Sequence, residues 1–159
     1  MNLFQLLRND QRTLSGLLSR LQRDGERRPW IRRALLRRTR RTLEVHQHAE
    51  NVLQHALREE DPFDDPPSGP DTEHRVAREM LADLERCEHG DERWCAKLER
   101  LDRTMRLCME AERVTFARAR RMLDPDDARA LADALAESRL DEPWGCALRF
   151  SRRLAIERE

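Results

Sequence analysis

The chain has 159 residues, long enough to bury a hydrophobic core, and no break in composition divides it, so one domain over residues 1–159 is expected. Charged residues make up 39% and the hydrophobic set 38%, with 5 Gly and no Tyr, a balance that argues against a strand-rich fold and for an all-α one. Lys and Arg total 31 and Asp and Glu total 31, so zero net charge excludes a general pull toward nucleic acid or anionic lipid and leaves only local patches.

The opening Met1–Arg8 has too short an apolar run for a secretion signal, and no later stretch is long enough to span a bilayer, which predicts a cytoplasmic protein. From Leu3 to about Leu21, Leu3, Leu7, Leu14, Leu17, Leu18 and Leu21 recur at helical spacing, and Asp24-Gly25 supplies a stop. After Pro29 a long amphipathic helix is expected from Trp30 to about Arg58, with Leu35, Leu36, Leu43, Val45, Val52, Leu53 and Leu57 on its apolar side. The run Asp61–Pro70 holds four prolines and a glycine, and reads as a loop because proline lacks the amide donor and clashes with the preceding turn.

Asp71 or Thr72 caps a third helix through Val76, Ala77, Leu81 and Leu84, interrupted near Gly90. A fourth runs from about Glu92 through Leu98, Leu101, Met105, Phe116 and Met122 to Leu123. Asp124-Pro125, a cap followed by proline at the first helical position, opens a shorter fifth over Ala128 to Glu137, before a capping tail around Trp144 and Phe150. Four long helices at about 2–123 pack most simply as an antiparallel up-down-up-down four-helix bundle, with the short extra C-terminal helix and tail at about 124–159. Cys87, Cys95, Cys108 and Cys146 are scattered without a close pair, so most are expected as small buried hydrophobes.

The informative residues are polar ones on apolar stripes, since a buried ionisable group is costly unless paired or bound to a metal. On the second helix Thr39, Leu43, His46, Glu50, Leu53 and Leu57 follow one another by three or four residues. The fourth repeats the walk with Leu98, Leu101, Met105, Cys108, Glu112, Phe116, Ala119 and Leu123. The third adds His74 on the face of Ala77, Leu81 and Leu84, and the first adds Asp10 and Gln11 between Leu7 and Leu14. Carboxylates and imidazoles converging from facing helices are the means by which bundles hold non-haem metals.

His46-Gln47-His48-Ala49-Glu50 resembles the His-x-x-x-Glu signature of the hemerythrin-like (HHE cation-binding) family. Asn9-Asp10-Gln11 is similar to the Asp-His near that family's start, Glu73-His74 to its third-helix histidine, and Cys108-Met109-Glu110-Ala111-Glu112 to its second His-x-x-x-Glu. The resemblance implies an iron centre in which His46 and His74 are terminal ligands and Glu50 and Glu112 match the bridging carboxylates of a di-iron site. Gln11 and Cys108 stand where the family has histidines, and the four remaining ligands suit one metal better than two. Cys108 as a thiolate would be a soft extra ligand that shifts preference toward zinc or alters iron redox behaviour, while Gln11 offers only a weak carbonyl oxygen.

The resemblance thus implies a sensing, binding or interaction module with a partly eroded site, with dioxygen or nitric oxide as ligands where metal is retained. No nucleophile-and-base pair or nucleotide loop points to an enzyme. The enzyme alternative is redox chemistry such as peroxide or nitric oxide turnover. A second alternative is a metal-free scaffold or partner-binding protein, in which Arg78, one turn after His74, enters the centre and pairs with Glu50 or Glu112 in place of a metal. A third is RNA or partner binding through the basic run Arg32–Arg41, whose arginines are otherwise expected to pair with acidic neighbours. His48, His55 and His89 are expected outside the site, and Met80, Met105 and Met122 in the core.

Overall fold

In a computed structural model of the protein, residues 2–60 and 70–141 are described. Among them all regular structure is helical, in five helices: α1 (Leu3–Asp24), α2 (Pro29–Glu60), α3 (Pro70–Glu85), α4 (Trp94–Met122) and α5 (Pro125–Asp141). Residues 61–69, where a loop is expected, Cys146 and the tail with Trp144 and Phe150 lie outside the described residues, as do the side chains of Asp71 and Thr72.

Local chemistry sets the ends. Asn2 opens α1 with a reciprocal cap: its side chain accepts the Gln5 amide at 2.9 Å while the Gln5 side chain accepts the Asn2 amide at 3.0 Å. Pro29, Pro70 and Pro125 each take the first position of a helix, where the missing N–H leaves no bond unmade. Asp124 accepts the Asp126 amide at 2.8 Å and caps α5 as its sequence suggests. α3 stops at Glu85, earlier than Gly90, and a turn follows that passes through Gly90 at φ 86, a conformation glycine adopts without steric cost. At Gly25 a Cβ would stand 2.5 Å from the Leu21 carbonyl oxygen and 3.0 Å from Trp94 Cζ2, so glycine lets the Trp94 ring close over the α1–α2 turn.

The apolar stripes meet in two clusters. One joins Leu3, Phe4, Leu6 and Leu7 of α1 to Ala49, Leu53 and Leu57 of α2, Phe116 and Ala119 of α4, Leu123, and Ala128, Leu131, Ala132 and Leu135 of α5. The other joins Leu14 to Leu21 of α1, Leu35, Leu36 and Leu43 of α2, Ala77, Leu81 and Leu84 of α3, and Trp94 to Met105 of α4. Thus α1 runs from the first cluster to the second, α2 returns, and α4 follows the direction of α2, while α3 runs toward the second cluster. Between the two clusters every one of α1 to α4 carries its inward polar residues. No helix of the described residues is long and apolar enough to cross a membrane.

Candidate metal centre

Asp10, His46, Glu50, His74 and Glu112 are all buried, although burial of such groups is unfavourable without partners. His46 and Glu50 share one face of α2 because they are four residues apart; His74 is held inward by its stripe-mates Ala77 and Leu81; Glu112 faces them from α4. Each of His46, Glu50, His74 and Glu112 offers one ligand atom, and these atoms all lie within 4.8 Å of one another. The four are 0% or 1% exposed. No other convergent group of metal-ligating side chains is found among the described residues.

Glu112 is the hub. Its Oε2 lies 3.1 Å from His46 Nε2 and its Oε1 3.1 Å from His74 Nε2, and the Gln11 side-chain amide donates to Oε2 as well. His74 Nδ1 stands 3.3 Å from Glu50 Oε2, and His46 Nδ1 stands 3.8 Å from Asp10 Oδ2, inside Coulombic reach but beyond a hydrogen bond. Both Nδ1 atoms are buried without a hydrogen-bond partner.

These contacts govern protonation. Burial works to lower the His46 pKa, but Asp10, Glu112 and Glu50 outweigh it and raise it to about 9, so the ring is an imidazolium at neutral pH. Burial works to raise the Glu112 pKa, but His46, His74 and Gln11 hold it down to about 2. Burial, then the carboxylates of Glu73, Glu112 and Glu50, push Cys108 up to about 12. Without a metal Cys108 is therefore a neutral thiol, and it stands outside the convergent group. Gln11 reaches the centre through its amide nitrogen, donating to Glu112, and not through its carbonyl.

The donor set fits a metal in chemistry and scale. Bonds of about 2.0–2.2 Å place neighbouring donors on one ion about 3.0–3.5 Å apart and opposite ones about 4.4 Å apart. The two 3.1 Å separations from Glu112 to His46 Nε2 and His74 Nε2 lie in the first range, and the 4.8 Å span exceeds the second by a small side-chain adjustment. Two imidazoles with two carboxylates suit iron, zinc or manganese.

Several expectations are corrected. Arg78 is exposed: Ala77, Leu81 and Leu84 turn from His74 one way around the helix and Arg78 turns about 40° the other, off the edge of the stripe, so its guanidinium does not enter the centre, where the buried cation is His46. Cys95 is exposed and Cys87 half-buried, leaving Cys108 as the buried cysteine among those described. His55 and His89 are exposed and His48 half-buried, outside the centre as expected.

The basic run divides. Arg40 pairs with Glu85 of α3, while Arg33, Arg37 and Arg38 are exposed. Arg32, which reads as a surface charge, is only 4% exposed: its guanidinium stacks 3.3 Å from the centroid of the Trp94 ring, and Nη1 reaches the Glu88 carbonyl at 3.3 Å and Glu26 at 3.4 Å. Its spacing of three and four residues from Leu35 and Leu36 is the signal that places it inward. Comparison with known protein families, characterised proteins and solved structures finds no match to this chain.

Proposed function

We propose that the chain is a hemerythrin-like protein: an antiparallel up-down-up-down four-helix bundle, completed by α5, that binds a non-haem metal, iron by resemblance, and works as a sensing, binding or interaction module. The observation that carries this reading is the convergence of His46, Glu50, His74 and Glu112 from three helices, with ligand atoms within 4.8 Å of one another. The reversal of direction between α1 and α2 and the spacing of Cys108 and Glu112, which matches that of His46 and Glu50, support the family likeness. An ion here would supply a Lewis-acidic, redox-capable centre, and dioxygen or nitric oxide are the small ligands the resemblance offers it. The chain's own residues would hold the ion, orient its imidazoles and keep bulk water away.

Elemental analysis of untagged protein from iron-supplied cells tests this, with His46→Ala and Glu112→Gln as controls. Stoichiometric metal that both controls lose is the expected result; wild-type protein free of metal after loading with Fe(II) or Zn(II) overturns it. A second reading, a metal-free scaffold, is favoured by the His46–Glu112 pairing, which neutralises part of the centre internally. Under that reading added Fe(II) or Zn(II) leaves the melting temperature unchanged.

A further inference from the structure

The two histidines are arranged alike. Each directs Nε2 at one oxygen of Glu112, at 3.1 Å in both cases, and turns Nδ1 toward a different carboxylate. For His46 that carboxylate is Asp10 at 3.8 Å; for His74 it is Glu50 at 3.3 Å. The rings meet edge to face, 5.9 Å between centroids and 73° between planes, so they approach Glu112 from two directions. Resting on the metal-binding reading, we propose that the centre holds a single divalent ion on three protein donors, His46 Nε2, His74 Nε2 and Glu112, and that Glu50 and Asp10 are positioning residues that hold the imidazoles by Nδ1.

The chemistry of imidazole requires such a division. A liganding histidine binds through one nitrogen and carries its proton on the other, where a carboxylate or carbonyl fixes both tautomer and ring orientation. The two nitrogens point out of different sides of the ring. A carboxylate engaged with His74 Nδ1 therefore faces away from an ion on Nε2, and Glu50 Oε2 cannot serve both positions at once. Glu112, with its two oxygens already beside the two Nε2 atoms, meets the ion without rearrangement. Gln11 fixes that carboxylate from a third side by donating to Oε2, the oxygen beside His46, which opposes its use as a bridge to a second ion. Two histidines and one carboxylate on a single ion leave coordination positions for a small exogenous ligand.

Titration of the metal-free full chain with Co(II) tests the division, with folding of each variant checked by circular dichroism. Wild type takes one ion per chain. Glu50→Gln and Asp10→Asn keep that stoichiometry with affinity about 10–100-fold weaker, as loss of an orienting partner does, while Glu112→Gln takes none. A readout that needs no variant is long-range proton–nitrogen NMR of the Zn(II)-loaded wild type, in which His46 and His74 both show coordinated Nε2 and protonated Nδ1. Two ions per chain, a Glu50→Gln protein as empty as Glu112→Gln, or coordination through His74 Nδ1 each overturns the division while leaving metal binding intact. A wild type that takes up no ion overturns the metal-binding reading, and this division with it.

Discussion

The protein buries charge in two places, and the two are solved differently. At the α1–α2 turn Arg32 lies flat on Trp94, with Nη1 shared between a backbone carbonyl and Glu26. One cation meets an aromatic face and one acid in contact, with the half-buried Asp91 acting from farther off. At the centre the balance is reversed: Asp10, Glu50 and Glu112 face two imidazoles, of which both Nδ1 atoms make no hydrogen bond. Both regions leave buried nitrogens without a hydrogen bond, Nε and Nη2 of Arg32 at the turn and the two Nδ1 atoms at the centre, but only the centre gathers three carboxyl groups, a set that can hold a cation.

The largest effect that separates the two regions is expected from Glu112→Ala, which strips both imidazoles of their shared acceptor and leaves the buried His46 charge to Asp10 and Glu50 alone. Urea denaturation of the metal-free variant should show a loss of about 3–5 kcal/mol. Among buried groups, pH should act chiefly through the centre. His46 has a folded pKa of about 9 against an ordinary 6.5, so its stabilisation is complete below pH 6.5 and is lost as pH rises through 9. Glu112, at about 2 against 4.5, stabilises fully above pH 4.5 and loses this as pH falls toward 2. Urea midpoints of the metal-free protein should therefore peak between these limits, and His46→Gln should remove the alkaline decline.

Arg32→Ala should cost about 2 kcal/mol from the lost cation–π contact, with metal stoichiometry unchanged. Arg32→Met should recover most of that loss, since an unbranched apolar chain fills the same space. If Arg32→Ala emptied the metal centre, the two regions would not be independent. Smallest of all, Arg78→Ala should stay within about 0.5 kcal/mol of wild type, as an exposed substitution does.

Much of this was legible before any coordinates. Steps of three and four residues put His46, Glu50, His74 and Glu112 on buried stripes because helical periodicity fixes direction whatever the tertiary arrangement, and all four are buried. What periodicity leaves undetermined is the contact across helices. Gln11 reads as a weakened ligand, yet its amide donates to Glu112. Arg78 sits one turn from His74, close enough in sequence to suggest an inward guanidinium, and only packing shows it turned outward. Arg32 is hidden inside a run of arginines whose neighbours do face out, and its partner Trp94 belongs to a helix that begins 62 residues later in the chain. The end of α3 at Glu85 also escaped notice, because the residues before Gly90 carry no proline or early glycine to mark it.

The first cluster has a consequence for biosynthesis. It closes Leu3, Phe4, Leu6 and Leu7 of α1 against Leu131 and Leu135 of α5, so the start of α1 waits for a helix that is synthesised after all the others described. The second cluster needs nothing beyond Met109, and Glu112 emerges only shortly afterwards. During translation the chain can thus assemble one end and the central polar layer while the other end still exposes leucine and phenylalanine. Among these helices the Leu3–Leu7 face of α1 stays open to aggregation longest, and α5 is the segment whose arrival ends that exposure.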